Sequence, residues 1–121
     1  MDDKLYHYRG KVLRVIDGDT LDIEFDLGLS IYAKRRIRLK GIDTPEIFGM
    51  KKESEAFQKG MEAKAFVTER LMGKPIWVQT FRDKTGKYGR YIADVFFQDG
   101  EGKHVNICQL LLEDGLAEKW A

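Results

Sequence analysis

Three short stretches, far apart along the chain, contain acidic and basic residues of the types that metal-assisted phosphodiester cleavage requires. They are residues 15–20, 37–46 and 87–90. Each stretch ends or interrupts a hydrophobic run with the pattern of a β-strand, so each is expected at a strand end or in a loop, where side chains can converge. Converging there, they would bring together two aspartates, one glutamate and two arginines. Such a set can bind a hard divalent cation, orient a water molecule and neutralise a phosphate.

The first stretch contains Asp17 and Asp19 on either side of Gly18. This sequence is first of all a good turn, because glycine permits positive φ and aspartate caps its own turn. A cation such as Ca²⁺ takes about 6–8 oxygen ligands, so a second carboxylate is needed, and Asp43 is the candidate. The backbone carbonyl of Thr44 could add a neutral oxygen. Since the spacing of an EF-hand is absent, the predicted site is open and rich in water.

The second stretch adds Arg38 and Glu46, each with two interpretations. Arg38 is either a solvent-facing strand arginine in a basic region or a phosphate ligand, since a guanidinium binds two phosphate oxygens at once and stays charged. Glu46 follows Asp43 by three residues, beyond Pro45. It is either a solvated or helix-capping loop residue, or a general base that orients or deprotonates the attacking water.

The third stretch carries the remaining candidates. Arg90 follows Gly89, and a glycine lets the backbone approach a ligand closely. The adjacent Lys87 could contact a phosphate, and Tyr88 could offer a hydroxyl or a ring to a terminal phosphate or a base. Each candidate is weak alone, but together their residue types match one reaction.

Strands are expected to position the first two stretches. Alternating apolar residues predict strands over residues 8–16, 20–25 and 31–42. The Asp-Gly-Asp turn joins the first two, and Pro45 follows the third, because proline cannot donate to a strand ladder. Strict alternation within the third strand places Arg38 opposite Ile37 and puts Ile42 on the same face as Arg38.

The second half changes period and then returns to strands. Helical spacing predicts an amphipathic helix, most distinct over residues 61–71 and ended by Gly73. Strands over residues 76–81 and 91–97 follow, and then a short helix near residues 106–113 with Asn106 as its N-cap. Five strands, a helix between the third and fourth and a short C-terminal helix predict a mainly β fold with helices. The expected architecture is a five-stranded Greek-key barrel of the oligonucleotide-binding (OB) type.

Length and composition limit the alternatives. A chain of 121 residues is most simply one domain with one core. The 21 basic and 20 acidic side chains leave a net charge of +1, so binding of a polyanion must depend on local clustering. Cys108 is the one cysteine, which excludes an intramolecular disulfide and a cysteine-built zinc site. Its apolar surroundings in the sequence predict a buried, inert thiol.

The chain ends and the charge balance leave some questions open. No apolar run approaches the ~20 residues that cross a bilayer, so no membrane partner is expected. The start of the sequence lacks the basic and apolar regions of a signal peptide. Either the protein acts inside the cell or a leader has been removed. The near-neutral charge predicts weak binding to duplex DNA, and single-stranded or frayed nucleic acid is therefore the expected substrate.

The three stretches also resemble a known family. The motifs Val-Ile-Asp-Gly-Asp-Thr, Arg-Leu-Lys-Gly-Ile-Asp-Thr-Pro-Glu and Asp-Lys-Thr-Gly-Lys-Tyr-Gly-Arg, followed by Val-Asn and Gly-Leu-Ala, are similar to those of the staphylococcal nuclease (thermonuclease) family. The likeness covers residues 8–117 in the family's motif order. It implies one staphylococcal-nuclease-like OB-fold domain over residues 1–121, acting as a monomer. It also implies Ca²⁺-dependent endonuclease or exonuclease action on DNA and RNA that breaks the bond to the 5′ oxygen and leaves 3′-phosphates.

The resemblance carries roles over to matching positions. The implied metal ligands are Asp19, Asp43 and, through its carbonyl, Thr44. The implied catalytic residues are Arg38, Glu46 and Arg90, with the arginines on the scissile phosphate and Glu46 as the general base. The implied contacts of a terminal phosphate are Lys87 and Tyr88. Trp120 falls near a tyrosine that lines the family's nucleotide pocket, in a register too loose to transfer a role. The longer segment between Asp19 and Arg38 predicts a protruding hairpin over residues 26–34.

Two other functions stay open. The chain could be a non-catalytic nucleic-acid- or protein-binding module on the same fold, since some domains that resemble this family have lost the acidic and arginine set. Here all five positions keep the required residue type. It could also be a structural β-barrel whose charged residues are turn caps and solvated faces.

Overall fold

The computed structural model describes residues 5–47, 51, 53–81 and 91–120. Within these ranges the backbone forms a β-barrel with two helices and three short additional strands. In chain order the elements are β1 (His7–Asp17), β2 (Thr20–Asp26), β3 (Tyr32–Leu39), β4 (Ile42–Asp43), α1 (Glu55–Leu71), β5 (Ile76–Phe81), β6 (Tyr91–Gln98), β7 (His104–Asn106), α2 (Ile107–Glu113) and β8 (Glu118–Lys119). None of the helices within the described ranges is long and apolar enough to cross a membrane.

The barrel consists of β1, β2, β3, β5 and β6. Its strands lie in the order β3-β2-β1-β5-β6, and a parallel pairing of β3 with β6, in which Ile37 faces Tyr91, closes the ring. The other neighbours within the ring pair antiparallel. This arrangement confirms the predicted five-stranded barrel of the OB type, with α1 between its third and fourth strands.

Alternation along the strands fills the barrel. In β2, Leu21, Ile23 and Phe25 are buried, whereas Asp22 and Glu24 are partly exposed. Each buried aliphatic or aromatic side chain of this kind stabilises the fold by about 1.5–3 kcal/mol. The β2–β3 hairpin extends beyond the barrel to Leu29, which is almost fully exposed, so the expected protrusion is present.

Helix α1 packs on the barrel through residues spaced four apart. Ala63, Val67 and Leu71 are completely buried along one face. The helix begins at Glu55, earlier than its most distinct sequence pattern, because the Ser54 side chain accepts a hydrogen bond from the backbone of Phe57 (3.1 Å) and caps the first turn. It ends as predicted before Gly73, whose φ of 74° suits a residue without a side chain.

The predicted end of the third strand, at residue 42, is wrong. β3 stops at Leu39, and the backbone turns at Gly41, where φ is 73°. This turn resets the alternation, so Ile42 is only 1% exposed and faces the core instead of sharing a face with Arg38. Ile42 and Asp43 form β4, which pairs with β8 in a separate two-stranded sheet. The sequence pattern missed this change because strict alternation assumes that no residue leaves the β region.

Helix α2 has the predicted N-cap and carries the predicted buried cysteine. The Asn106 side chain accepts a hydrogen bond from the Cys108 backbone (2.9 Å), which confirms Asn106 as the N-cap. Cys108 is buried, and burial together with the nearby charge of Asp94 raises the pKa of its thiol to about 12. The prediction of a buried cysteine is confirmed, and a thiol with a raised pKa is expected to react slowly near neutral pH.

Candidate active site

Asp19 connects three segments of the chain at one end of the barrel. It lies in the turn between β1 and β2, and its backbone carbonyl accepts a hydrogen bond from Leu39 at the end of β3 (2.8 Å). Its side chain accepts from the Thr44 backbone at Oδ2 (3.1 Å) and from the Thr20 hydroxyl at Oδ1 (3.0 Å). With only 4% of its surface exposed, Asp19 is held in place by these contacts. The adjacent Asp17 accepts from the Asp19 backbone (3.1 Å), as expected of a turn residue.

Gly18 is required for a reason that the sequence did not indicate. Turn glycines often have positive φ, but Gly18 is not among the positive-φ glycines. Instead, a side chain at this position would clash, because an added Cβ would lie 2.7 Å from Cβ of Ala63 on α1 and 2.9 Å from the Thr44 side chain. The turn therefore packs directly against the helix and the segment that follows β4.

Arg38 lies between the two predicted metal-binding carboxylates. Its Nη2 donates to Oδ1 of Asp43 (3.2 Å) and to the carbonyl of Ile42 (3.3 Å). Its Nη1 lies 3.7 Å from Oδ2 of Asp19. The side chain is 18% exposed, whereas that of Asp43 is 57% exposed. Asp19, Arg38 and Asp43 therefore converge, with one guanidinium in contact with both carboxylates.

Trp120 completes this group and had no assigned role from sequence. Cζ of Arg38 lies 4.6 Å from the centre of the Trp120 ring. The Trp120 backbone donates to the carbonyl of Gly41 (2.9 Å), which extends the β4–β8 pairing by one residue. A sequence signal for this contact would require the register of two strands that are far apart in the chain, and no local pattern supplies it.

The electrostatic environment of Asp19 disfavours an isolated negative charge. Burial raises the pKa of its carboxyl group, and the neighbouring Asp17 carboxylate raises it further through a side-chain hydrogen bond and its charge. The hydrogen bond from the Thr44 backbone and the charge of Arg38 lower this pKa, but by less. An additional cation beside Asp19 would offset the imbalance.

The donor groups at this place fit a hard divalent cation. Carboxylate and carbonyl oxygens are the ligands that Ca²⁺ prefers, and water can supply the others. In the part of the chain that the structure describes, no group of three or more His, Cys, Asp or Glu side chains is placed to hold a metal. Two carboxylates and the Thr44 carbonyl would thus leave the site open. Two buried polar atoms nearby, Nε of Arg38 and Oγ1 of Thr44, have no hydrogen-bond partner among the residues that the structure describes.

A cleft of about 410 Å³ opens beside Asp43. Its walls come from the segment after β4, from α1 and from the approach to β8. They are lined by Asp43, Thr44, Pro45, Lys59, Glu62, Asp114, Gly115, Leu116, Ala117 and Glu118. Acidic side chains outnumber the single lysine, so this cleft suits a cation and solvent better than a phosphate backbone.

The other predicted site residues are Glu46, Lys87, Tyr88 and Arg90. Glu46 is exposed on the segment after Pro45, and within the described ranges it forms no ion pair with Arg38 or any other basic side chain. Lys87, Tyr88 and Arg90 lie outside the described residues. Their roles stay predictions.

Comparison with known proteins confirms the resemblance found in the motifs. Residues 36–121 match the family model described as staphylococcal nuclease homologue. The chain belongs to this family. The matched range contains Arg38, Asp43 and Trp120, whereas Asp19 precedes it.

Three individual relatives extend the similarity. The chain is 32% identical to the uncharacterised protein MJ1439 of Methanocaldococcus jannaschii, over 92% of this chain and 58% of that protein. It is 31% identical to the thermonuclease of Staphylococcus hyicus, over 88% of this chain and 56% of the relative. Identity to the micrococcal nuclease of Shigella flexneri is 29%, over 94% and 58% of the two chains. The chain thus spans little more than half the length of these relatives.

Proposed function

We propose that this protein is a Ca²⁺-dependent nuclease that hydrolyses phosphodiester bonds of DNA and RNA, within one domain over residues 1–121. The observation that supports this most directly is the convergence of Asp19, Arg38 and Asp43 at one end of the barrel. Membership of the staphylococcal nuclease family supports the general class, as do the nuclease names of several relatives.

The proposed metal ligands are the carboxylates of Asp19 and Asp43 and the carbonyl of Thr44. The Asp19 carboxylate already accepts hydrogen bonds from two donors, yet its surroundings still raise its pKa. Asp19 therefore suits this role, because a bound cation would supply the positive charge that its carboxylate lacks. When bound, Ca²⁺ would supply a Lewis acid for the phosphate.

The proposed phosphate ligands are Arg38 and Arg90. Arg38 is preorganised, since two carboxylates, a carbonyl and an aromatic ring surround its guanidinium before any substrate is present. A preorganised donor aimed at developing charge contributes about 2.7–4 kcal/mol to lowering a barrier. Lys87 and Tyr88 are proposed to contact a terminal phosphate.

The proposed general base is Glu46. Its exposed side chain, at the end of the segment that carries Asp43 and Thr44, can reach solvent. Its carboxylate would take a proton from the attacking water as the oxygen bonds to phosphorus. The bond between phosphorus and the 5′ oxygen would then break, and this oxygen would take a proton from solvent, leaving a 3′-phosphate and a 5′-hydroxyl.

The proposed substrate is single-stranded or frayed nucleic acid, and the proposed active form is a monomer. The acidic cleft beside Asp43 favours an approach of the phosphates from the Arg38 side. A net charge of +1 supplies little of the counterion release that drives non-specific binding to duplex DNA.

The test is digestion of single-stranded DNA and RNA with and without Ca²⁺, using matched variants. Arg38→Ala should lower kcat by about 10²–10³, and Glu46→Gln should lower it by about 10²–10⁴. Arg36→Ala is the control for the first change, because Arg36 lies on the same strand but pairs with Asp22 (2.8 Å).

Glu53→Gln is the control for the second change, because this exposed glutamate precedes α1 and lies outside the cluster. Both controls should retain full activity. Cleavage that ignores Ca²⁺, or that survives both Arg38→Ala and Glu46→Gln, would contradict the mechanism. Binding of labelled DNA without any cleavage by the unaltered protein would instead identify a binding module.

A further inference from the structure

The Arg38 guanidinium lies over the ring of Trp120. The 4.6 Å between Cζ and the ring centre lies well inside the ~6 Å over which an aromatic face attracts a cation, and tryptophan does so best. We propose that Trp120 is a positioning residue for Arg38, so that the segment around β8 forms part of the active site. The catalytic consequence of this proposal rests on the proposed nuclease function, whereas the contact itself can be tested independently.

Backbone pairing fixes the indole relative to the rest of the site. Ile42 pairs with Lys119 and Asp43 with Glu118, and the Trp120 N–H donates to the Gly41 carbonyl (2.9 Å). Gly41 and the two residues that follow it therefore hold the segment that carries the ring. The same short sheet carries Asp43, so the backbones of Trp120 and Asp43 are fixed relative to each other.

The edge contacts of Arg38 leave its orientation incompletely determined. Nη2 has two acceptors, the Asp43 carboxylate and the Ile42 carbonyl. Nη1 lies 3.7 Å from Asp19, which is an ion pair but too long for a hydrogen bond. Nε is buried and has no hydrogen-bond partner within the described part of the chain. A guanidinium fixed only at Nη2 could tilt towards the exposed Asp43, and contact with a flat ring prevents this tilt.

Half of the Trp120 surface is exposed (49%), so burial alone does not explain the residue. A role in holding Arg38 predicts a specific kinetic result. Loss of the ring should lower kcat while KM changes little, because the arginine would be misplaced for the transition state rather than lost from the binding surface. A role as a direct substrate contact predicts the reverse, a higher KM with an unchanged kcat.

The kinetic test compares Trp120→Leu and Trp120→Phe with Trp77→Leu. Trp120→Leu should lower kcat about 5- to 30-fold, the value of a partly desolvated cation–π contact. Trp120→Phe should restore part of this loss, since a phenyl ring retains a weaker face. Trp77 is the matched control, because it also lies near an arginine, Arg9 (5.8 Å), but on β5. Its replacement should leave kcat unchanged.

A second measurement does not depend on activity. In the NMR spectrum of the unaltered protein, the Nε–H of Arg38 should be shifted by the indole ring current and exchange slowly with water, because the atom is buried. Arg38→Lys identifies the signal. Trp120→Leu should remove the shift and speed the exchange, Trp120→Phe should keep part of both, and Trp77→Leu should change neither.

The outcomes separate the two proposals. An unaltered protein without nuclease activity refutes the proposed function, and the NMR result then decides the positioning of Arg38 alone. An Arg38 signal that is insensitive to Trp120→Leu, or a variant in which KM rises at constant kcat, overturns the positioning role. Should Trp120→Leu fail to fold by circular dichroism, the comparison of Trp120→Phe with the unaltered protein decides both measurements.

Discussion

Replacing Asp19 with asparagine should stabilise the protein when no divalent cation is present. The carboxylate is buried, and burial and Asp17 together raise its pKa, so the folded state disfavours the charge. Asparagine has nearly the same shape. Its carbonyl can accept from the Thr44 backbone, and its amide can donate to the Thr20 hydroxyl, so both hydrogen-bonded contacts can be kept.

The expected change in stability on Asp19→Asn is the difference between two opposing contributions. The attraction between Asp19 and Arg38, 3.7 Å apart, is worth about 4 kcal/mol at an effective dielectric constant of about 20. Taking a carboxylate out of water costs several kcal/mol, and repulsion from Asp17 adds to that cost. Since the pKa of Asp19 is raised, the cost exceeds the attraction. We expect a net gain of about 1 kcal/mol, or about 4 °C in Tm for a domain of this size.

The pH dependence has a defined sign. A folded-state pKa above the usual 3.8 means that the contribution of Asp19 to stability is fully present below pH 3.8 and is lost as pH rises through the raised pKa. The advantage of Asp19→Asn should therefore be present at neutral pH and disappear as pH falls through this window. Ca²⁺ should make the unaltered protein more stable than Asp19→Asn, because a ligand at 100 times its Kd adds about 2.7 kcal/mol to the stability of a protein that binds it.

Thermal unfolding with Ca²⁺ or with a chelator, between pH 3 and pH 8, measures these effects. Asp22→Asn is a control of opposite sign, because a hydrogen bond from Arg36 lowers the pKa of Asp22. Its stabilising contribution is present above the usual pKa and is lost as pH falls. The reasoning fails if Asp19→Asn is the less stable protein at neutral pH in chelator, or if Ca²⁺ raises the Tm of both proteins equally.

Three further changes test the packing around the site. Gly60→Ala should lower the free energy of unfolding, measured in urea, by about 1–3 kcal/mol, because an added Cβ would lie 2.7 Å from the Pro45 carbonyl oxygen. Helix propensity alone predicts a more stable variant, and that result would refute the prediction. Cys108, with a thiol pKa of about 12, should react with a disulfide reagent only after unfolding, and rapid reaction in native buffer would contradict its burial. Asn106→Ala should cost about 1 kcal/mol, with Asn106→Ser recovering most of it, because the lost group caps α2.

Most of the fold could be predicted because its signals are local. Alternation at Leu21, Ile23 and Phe25 is enough to define β2, and the spacing of Ala63 and Val67 indicates the buried face of α1. The end of β3 could not be predicted in the same way. A positive φ at Gly41 is permitted by glycine but not required by it, and the pairing of β4 with β8 decided the outcome.

The candidate site was predictable in residue type but only partly in arrangement. Asp19, Arg38 and Asp43 could be selected because the candidate residue types together match one reaction, and the structure brings these three together. The contact of Trp120 with Arg38 depends on a register between distant segments, which a single sequence does not contain. The roles of Glu46 and of residues 87–90 stay predictions.

The pairing between β4 and β8 has a consequence for how the protein is made. A ribosome produces Asp19, Arg38 and Asp43 within the first 43 residues, long before Trp120. Until residues 118–120 have emerged, Asp43 lacks its strand partner and the guanidinium lacks its indole. A nascent chain halted before that point would carry these charged side chains without their final arrangement. Order at the site is therefore gained only after Trp120 has been made.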